Sequence, residues 1–382
     1  MKILVIEACG LHLGYLGCYG NDWVATPNLD RLAVEGITFD WHFADQPELQ
    51  SSTVWLNRSV GTGHYTFPGQ ASAGLSRTVN PRIIRCAAIT SLAKQTVNAV
   101  EGGGDWLWIE GPSLLPPWQM DDELLEAYFD EDDVEEGLTP WPDPPLGLVK
   151  LNEAEILQLQ NTYAAAVTVF DAQLGVALER LRERGLLDDT LLCVTARSGL
   201  PLGEHGMIGV PPPCLHDELV HVPLLLRLPG AADAGMRIGA LTQPLDLLPT
   251  FLEALGQPVP PMHGRNLWPL IRGEAETVRP YAVSALRVGL EESLLLRTRE
   301  WAFHLPVGQA FEPDGEARSQ TGEPDVRLGE RTPQLYVKPG DRWEVNDLYQ
   351  QQIEIADPMA RALHAFAEAI RQPGELAYPV FV

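Results

Sequence analysis

The sequence predicts an α/β fold: a mainly parallel sheet flanked by helices, followed by a small C-terminal antiparallel subdomain. Three observations point there. Short apolar runs at Lys2–Cys9 (KILVIEAC), Trp106–Glu110 (WLWIE), Thr190–Thr195 (TLLCVT) and Val222–Arg227 (VPLLLR) read as strands buried on both faces. Stretches of helical periodicity separate them, the alternation of a parallel sheet covered by helices. After about Gly273 the pattern changes to closely spaced short strands, as in an antiparallel sheet. The expected organisation is a core domain over residues 1–273, with an acidic excursion at about 111–150, and an α+β subdomain over 274–382.

Strand one, Lys2–Cys9, leads through a loop to a helix over Pro27–Glu35. Thr26 is placed to cap that helix, Pro27 occupies its first position, where a missing N–H costs nothing, and Gly36 is placed to close it. Phe39–Pro47 reads as the next extended segment and Ala88–Val100 as a short helix. Gly102-Gly103-Gly104 then precedes a strand and opens no helix, so it is a turn and not a phosphate cradle. The stretch Gly111–Pro145 is rich in proline, and Asp121–Glu136 holds ten carboxylates and no base, the mark of a solvated surface segment. Leu151–Arg184 is a long amphipathic helix, with Ile156, Leu159, Tyr163, Val167, Phe170, Leu174, Leu178 and Leu181 at helical spacing and Gly185 at its exit. Gln243–Gly256 reads as a strand end and a helix. Tyr281–Arg287, Leu294–Arg297, Trp301–His304 and Gln334–Lys338 read as the short strands, and Pro358–Ile370 as the final helix.

The 382 residues carry a formal charge of −25, which repels nucleic acid and anionic membranes. An anionic substrate or ligand would need a local basic pocket to reverse that field. The five cysteines are scattered and form no C-x-x-C pair, so they are expected to be reduced thiols in a cytoplasmic compartment. Met1-Lys2 enters strand one directly, without a signal-peptide pattern, and no apolar run is long enough to span a bilayer. The partner is left open by the sequence: a small anion or a protein, but neither nucleic acid nor membrane.

Leu16-Gly17-Cys18-Tyr19-Gly20, the run Thr26–Ala33 (TPNLDRLA) and Glu35–Phe39 (EGITF) follow strand one in an order that closely resembles the opening of the sulfatase family, within the alkaline-phosphatase superfamily. Further blocks continue the resemblance along the chain: Gly203-Glu204-His205-Gly206, Leu245–Thr250 (LDLLPT), His263–Leu267 (HGRNL), Gln334-Leu335-Tyr336 and Glu344–Leu348 (EVNDL). The resemblance implies an alkaline-phosphatase-like fold and sulfate-ester hydrolysis. In that family a modified Cys or Ser in a Cys/Ser-x-Pro-x-Arg motif attacks sulfur. A hard cation, usually calcium, is held by an Asp-Asp pair after strand one and an Asp-His or Asp-Asn pair after a later strand.

Carried onto this chain, those positions hold other residues. Counting back from Leu16–Gly20, the first pair falls on Cys9 and Gly10, and the second falls on Arg197 and Ser198. Calcium takes hard oxygen ligands. A guanidinium cannot ligate a cation, and Arg197 places a positive charge about where the metal's charge would have been. The nucleophile position falls on Leu49 counting forward from Phe39, or on Thr53 counting back from Thr62-Gly63, and no Cys/Ser-x-Pro-x-Arg motif lies between Phe39 and His64. Thr53 without a metal is an unactivated hydroxyl. The His expected after Trp106–Glu110 and the Lys expected before Glu218 are also absent.

The sequence therefore points to a sulfatase-like pseudoenzyme, with no catalytic residue, no metal and no cofactor, and with Cys9, Gly10, Leu49, Thr53, Arg197 and Ser198 marking a degenerate site or anion cleft. The alternative is an active sulfuric-ester or phosphoester hydrolase with a rearranged site. A zinc site built from Cys9, His12, Cys214 and His216 is the competing metal reading. If Arg197 is buried it must meet a carboxylate of this chain or bind an exogenous anion; the internal candidates are Glu204 and, less favoured because it precedes the strand end, Glu7.

Overall fold

The computed structural model describes residues 1–47, 81–86, 88–209, 215–288, 291–307, 332–370 and 377–379. Its strands are β1 (Lys2–Cys9), β2 (Ile37–His42), β3 (Arg82–Arg85), β4 (Trp106–Ser113), β5 (Gly147–Leu148), β6 (Thr190–Ala196), β7 (Met207–Ile208), β8 (Leu224–Arg227), β9 (Met236–Thr242), β10 (Ala282–Val288), β11 (Glu291–Arg297), β12 (Trp301–Val307) and β13 (Gln334–Val337). The longer helices are α1 (Pro27–Glu35), α2 (Leu92–Glu101), α3 (Glu153–Glu183), α4 (Leu247–Ala254) and α5 (Ile353–Ala369).

Seven strands form the central sheet in the order β3-β4-β1-β6-β8-β2-β9. All pairings are parallel except those of β8, which runs against both β6 and β2. Alternation along β1 explains why it sits at the centre. Ile3 and Val5 pack on one face with Phe39, Trp108 and Phe251. Leu4, Ile6 and Ala8 pack on the other with Tyr163, Phe170 and Leu174 of α3. Both faces are apolar, so β1 has no solvated side and must be covered twice.

Helix α3 starts at a reciprocal cap: Asn152 Oδ1 accepts the Glu155 N–H at 2.9 Å, and Glu155 returns a carboxylate oxygen to the Asn152 N–H at 2.8 Å. At 31 residues it runs the length of one face of the sheet. Helix α1 is capped differently from the sequence expectation. Thr26 makes no cap; its hydroxyl accepts the Gly17 N–H at 2.9 Å. The N–H groups of Asn28 and Leu29 donate to Asp171 of α3, at 3.1 and 2.7 Å. Gly36 does not adopt the left-handed cap conformation either. It is extended, with φ −138°, because β2 begins at once, and a Cβ there would lie 2.5 Å from the Leu226 carbonyl oxygen. The segment expected at Phe39–Pro47 accordingly starts two residues earlier and ends at His42.

Strand β3, at one edge of the sheet, was not expected, and of β9, at the other edge, only the end near Gln243 was. Each is broken by polar residues or glycine, which weakens the apolar signal. The carboxylates of Asp121–Glu136 are mainly exposed, and the segment is anchored by buried Leu125 and by Tyr128, whose hydroxyl lies 2.6 Å from Thr168 Oγ1.

A four-stranded antiparallel sheet, β10-β11-β12-β13, follows. One face packs Tyr281, Leu296 and Phe303 against Met359, Leu363 and Phe366 of α5. Helix α5 begins at Ile353 and not at the expected Pro358, which lies within it. The other face, with Leu286, Leu295 and Tyr336, rests on Phe43, Leu219 and Leu241 of the core. This second contact brings the C-terminal sheet against the carboxyl end of the central strands. Among the described residues no helix is long and apolar enough to cross a membrane.

One pH response follows from this core. His42, fully buried at the end of β2, has its imidazole Nδ1 2.9 Å from Thr242 Oγ1. Burial pushes its pKa down to about 3, helped by the charges of Arg279 and His221. The unfolded chain takes up this proton near pH 6.5 while the folded chain does not. This contribution therefore favours folding above pH 6.5 and is lost progressively as the pH falls toward about 3. Denaturation midpoints measured across that window fall with acidity, and the slope is shallower in His42→Gln.

Candidate functional site

The carboxyl ends of β1, β4 and β6 converge in the middle of the sheet. Strand β1 pairs with β6 in the register Ala8↔Ala196, which sets the residues after each strand side by side. The Arg197 N–H donates to the Ala8 carbonyl at 2.9 Å. The N–H groups of Gly10 and Leu11 donate to the Ser198 carbonyl at 2.9 and 3.1 Å. Cys9 Sγ lies 3.8 Å from Ser198 Oγ. The structure thus brings Cys9, Gly10, Arg197 and Ser198 together, while Leu49 and Thr53 lie outside the described residues. Helix α3 locks the same turn: Tyr163 donates its hydroxyl proton to the Gly10 carbonyl at 2.6 Å and accepts the His12 N–H at 2.8 Å.

The Arg197 guanidinium is almost entirely buried and lies between two carboxylates. Its Nη2 is 3.4 Å from Glu7 Oε2 and 3.3 Å from Glu110 Oε1. Glu7 and Glu110 are register partners on β1 and β4, so their side chains leave the same face of the sheet. Trp108 Nε1 donates to Glu7 at 3.3 Å, and Arg85 Nε donates to Glu110 at 3.2 Å from the exposed edge. Of the two expected partners of Arg197, Glu7 is present. Glu204 is not; its carboxylate accepts the Leu202 N–H instead. Glu110 was not foreseen. It continues the face that carries Trp106 and Trp108, but only the pairing of β4 with β1 reveals its neighbour.

Cys9, Gly10, Arg197 and Ser198, the residues that the resemblance aligns with the family's cation ligands, do not suit calcium. The donor set is a thiol, a glycine, a guanidinium and a hydroxyl, against the several hard oxygens that calcium requires. Burial raises the Cys9 thiol pKa and outweighs the opposing charge of Arg197, so the sulfur stays protonated and is a poor ligand and a poor nucleophile. Gly10 has φ +77°, and a Cβ there would stand 2.8 Å from Leu115 Cδ2 and 3.3 Å from the Leu115 backbone nitrogen. A side chain at this position, carboxylate or other, meets Leu115.

A cavity of about 460 Å³ opens nearby, between the loop after β1 and the turn after β13. His12, Trp41, Arg237, Arg297 and Lys338 contribute to its walls. Three of the cations there are matched: Lys338 Nζ is 2.8 Å from Asp217, Arg297 Nε is 3.6 Å from the same carboxylate, and Arg237 meets Asp40, while Arg342 lies over the Trp343 ring. The zinc reading is corrected by this geometry. Among the described residues Cys9, His12 and His216 form no common cluster, and Cys214 lies outside them. Cys9 faces Ser198, His12 Nδ1 accepts the Gly14 N–H at 2.9 Å, and His216 turns toward His304 and Glu344.

A sequence model described as Sulfatase matches residues 112–257. An N-acetylglucosamine-6-O-sulfatase of Bacteroides thetaiotaomicron is 34% identical over 121 residues, 31% of this chain and 21% of that protein. A multifunctional alkaline phosphatase superfamily protein, PehA, of Trinickia caryophylli is 34% identical over 123 residues, 32% of this chain and 24% of that protein. The chain therefore matches only about a quarter or less of the length of these curated relatives. Similarity of fold extends much further. The structure of BT4656 in complex with its substrate D-glucosamine-2-N,6-O-disulfate superposes with a TM-score of 0.72 at 18% identity, over 96% of this chain and 97% of that one. The phosphonate monoester hydrolase of Agrobacterium radiobacter superposes with a TM-score of 0.66 at 16% identity, over 96% and 95%. With its ordered sequence blocks, the Sulfatase model matched over residues 112–257 and this shared architecture, the chain is similar to sulfatases of the alkaline-phosphatase superfamily and has their fold.

Proposed function

We propose that this chain is a sulfatase-family pseudoenzyme: it keeps the scaffold and has lost both cation binding at the family position and sulfate-ester hydrolysis. The observation that carries the reading is Arg197. Its guanidinium stands after β6 where the resemblance places a metal ligand, and it lies between Glu7 and Glu110. A fixed internal cation there offsets part of the charge of the two carboxylates and opposes a second cation beside it. A guanidinium supplies neither an open coordination position nor a lowered pKa for a nucleophile, which are the metal's two contributions to such chemistry. The cavity beside the turn after β13 is the cleft we assign to a small anion or a protein partner. The free thiols of Cys9, Cys18, Cys86 and Cys193 support a reducing, cytoplasm-like compartment.

Turnover tests the reading. Purified protein supplied with calcium or magnesium is expected to hydrolyse neither an aryl sulfate nor an aryl phosphate above the rate in buffer. Hydrolysis that disappears in Thr53→Ala would identify a working nucleophile and establish the active-hydrolase alternative.

A further inference from the structure

Where the two sheets meet, three metal-ligating side chains from three separate segments converge. His216 immediately precedes the short helix Asp217–Val220, His304 lies in β12, and Glu344 lies in the turn after β13. All three are buried, with 7%, 8% and 3% of their surface exposed. His216 Nδ1 and His304 Nε2 approach the same oxygen, Glu344 Oε2, the first in a very short contact and the second at 3.3 Å. The three ligating atoms lie within 4.8 Å of one another. His304 Nε2 has no hydrogen bond of normal geometry among the described residues, and a buried polar atom in that state calls for a partner.

We propose that His216, His304 and Glu344 form a binding site for a borderline divalent cation of the zinc class. Two imidazole nitrogens and one carboxylate oxygen are a zinc donor set, whereas calcium and magnesium require oxygen ligands throughout. Ligand atoms about 2.0–2.2 Å from a tetrahedral ion stand roughly 3.4 Å apart, so on binding the widest pair closes and the short His216–Glu344 contact opens. The surroundings already hold the ligands in place. His205 stacks on His216 with ring centroids 3.6 Å apart and fixes the plane of that imidazole. Lys338 Nζ takes the other Glu344 oxygen at 2.9 Å, which orients the carboxylate as an outer-sphere partner does. The charge of Lys338 opposes a cation, and Asp217, 2.8 Å from the same ammonium, offsets it.

The site is separate from Cys9, Gly10, Arg197 and Ser198, and the proposal stands whether or not the chain hydrolyses sulfate esters. Its ligands come from the core and from the C-terminal sheet, so a bound cation ties the two together. The test uses the full chain, stripped with a chelator, dialysed and titrated with zinc chloride, then in parallel with cobalt chloride. The site predicts uptake of one equivalent, a higher melting temperature, and visible absorption bands of four-coordinate cobalt. His304→Gln and His216→Asn each lower affinity by at least the roughly 10–100-fold that losing an outer-sphere partner costs. His364→Ala, on an exposed position of α5, leaves uptake unchanged. Circular dichroism establishes that each variant is folded before titration. No uptake by the folded wild type, or uptake unaltered in both folded ligand variants, overturns the proposal.

Discussion

Replacing Arg197 by methionine is expected to lower the unfolding free energy by about 3–5 kcal/mol, the cost of stripping one partner from a buried ion cluster. Glu7 and Glu110 are both buried, and the guanidinium lies within 3.4 Å of each. Removing it leaves two facing carboxylates in the sheet with less charge to balance them. Urea denaturation at neutral pH reads the loss as a lower midpoint. Adding Glu7→Gln to Arg197→Met recovers part of it, because one uncompensated charge then becomes a neutral amide. Arg197→Lys recovers less than the wild-type interaction, since an ammonium is a point charge without the planar fork. A loss below about 1 kcal/mol, in the range of an exposed pair, would mean that the cluster is not what holds the three strand ends together.

A loss of similar size, about 3–5 kcal/mol, is expected for Asp246→Asn and for Arg279→Met. Both side chains are fully buried and directly paired. Asp246 also accepts the N–H groups of Gln243 at 2.8 Å and Arg265 at 2.7 Å. Arg279 continues the network to the Gln243 side chain at 2.7 Å and to the Tyr378 hydroxyl at 2.6 Å. The blocks Leu245–Thr250 and His263–Leu267 thus meet at one carboxylate. Gly264 has to be glycine there, because a Cβ would stand 1.9 Å from the Leu245 carbonyl oxygen. Asparagine cannot balance the guanidinium, and its NH₂ would face donors in one of the two oxygen positions. Thermal melts of the two single variants and the double variant give the coupling directly. Additive effects would show that the pair acts as two independent side chains.

Much of this architecture was legible because β1 and β6 are buried on both faces and read as short, mainly apolar runs. The positions at their ends, Cys9, Gly10, Arg197 and Ser198, were singled out by the family resemblance, counted from the sequence blocks beside these strands. What was not legible depends on pairing over long separations. Glu110 meets Arg197 only because β4 inserts beside β1. Asp171 caps α1 from 142 residues away, so no local signal at Thr26 could reveal it. The reversed direction of β8 leaves no mark on VPLLLR, since a strand buried on both faces reads the same either way. The His216, His304 and Glu344 cluster has no motif spacing, and it forms only when the second sheet docks on the first.

The most direct test of the proposed loss of cation binding is a crystal structure of the chain grown in calcium, with anomalous scattering used to locate bound ions. The account predicts the Arg197 guanidinium between Glu7 and Glu110, and no cation beside Cys9, Gly10, Arg197 and Ser198. A calcium ion at that position, with oxygen ligands at roughly 2.3–2.6 Å and Arg197 swung away from the two carboxylates, would contradict it.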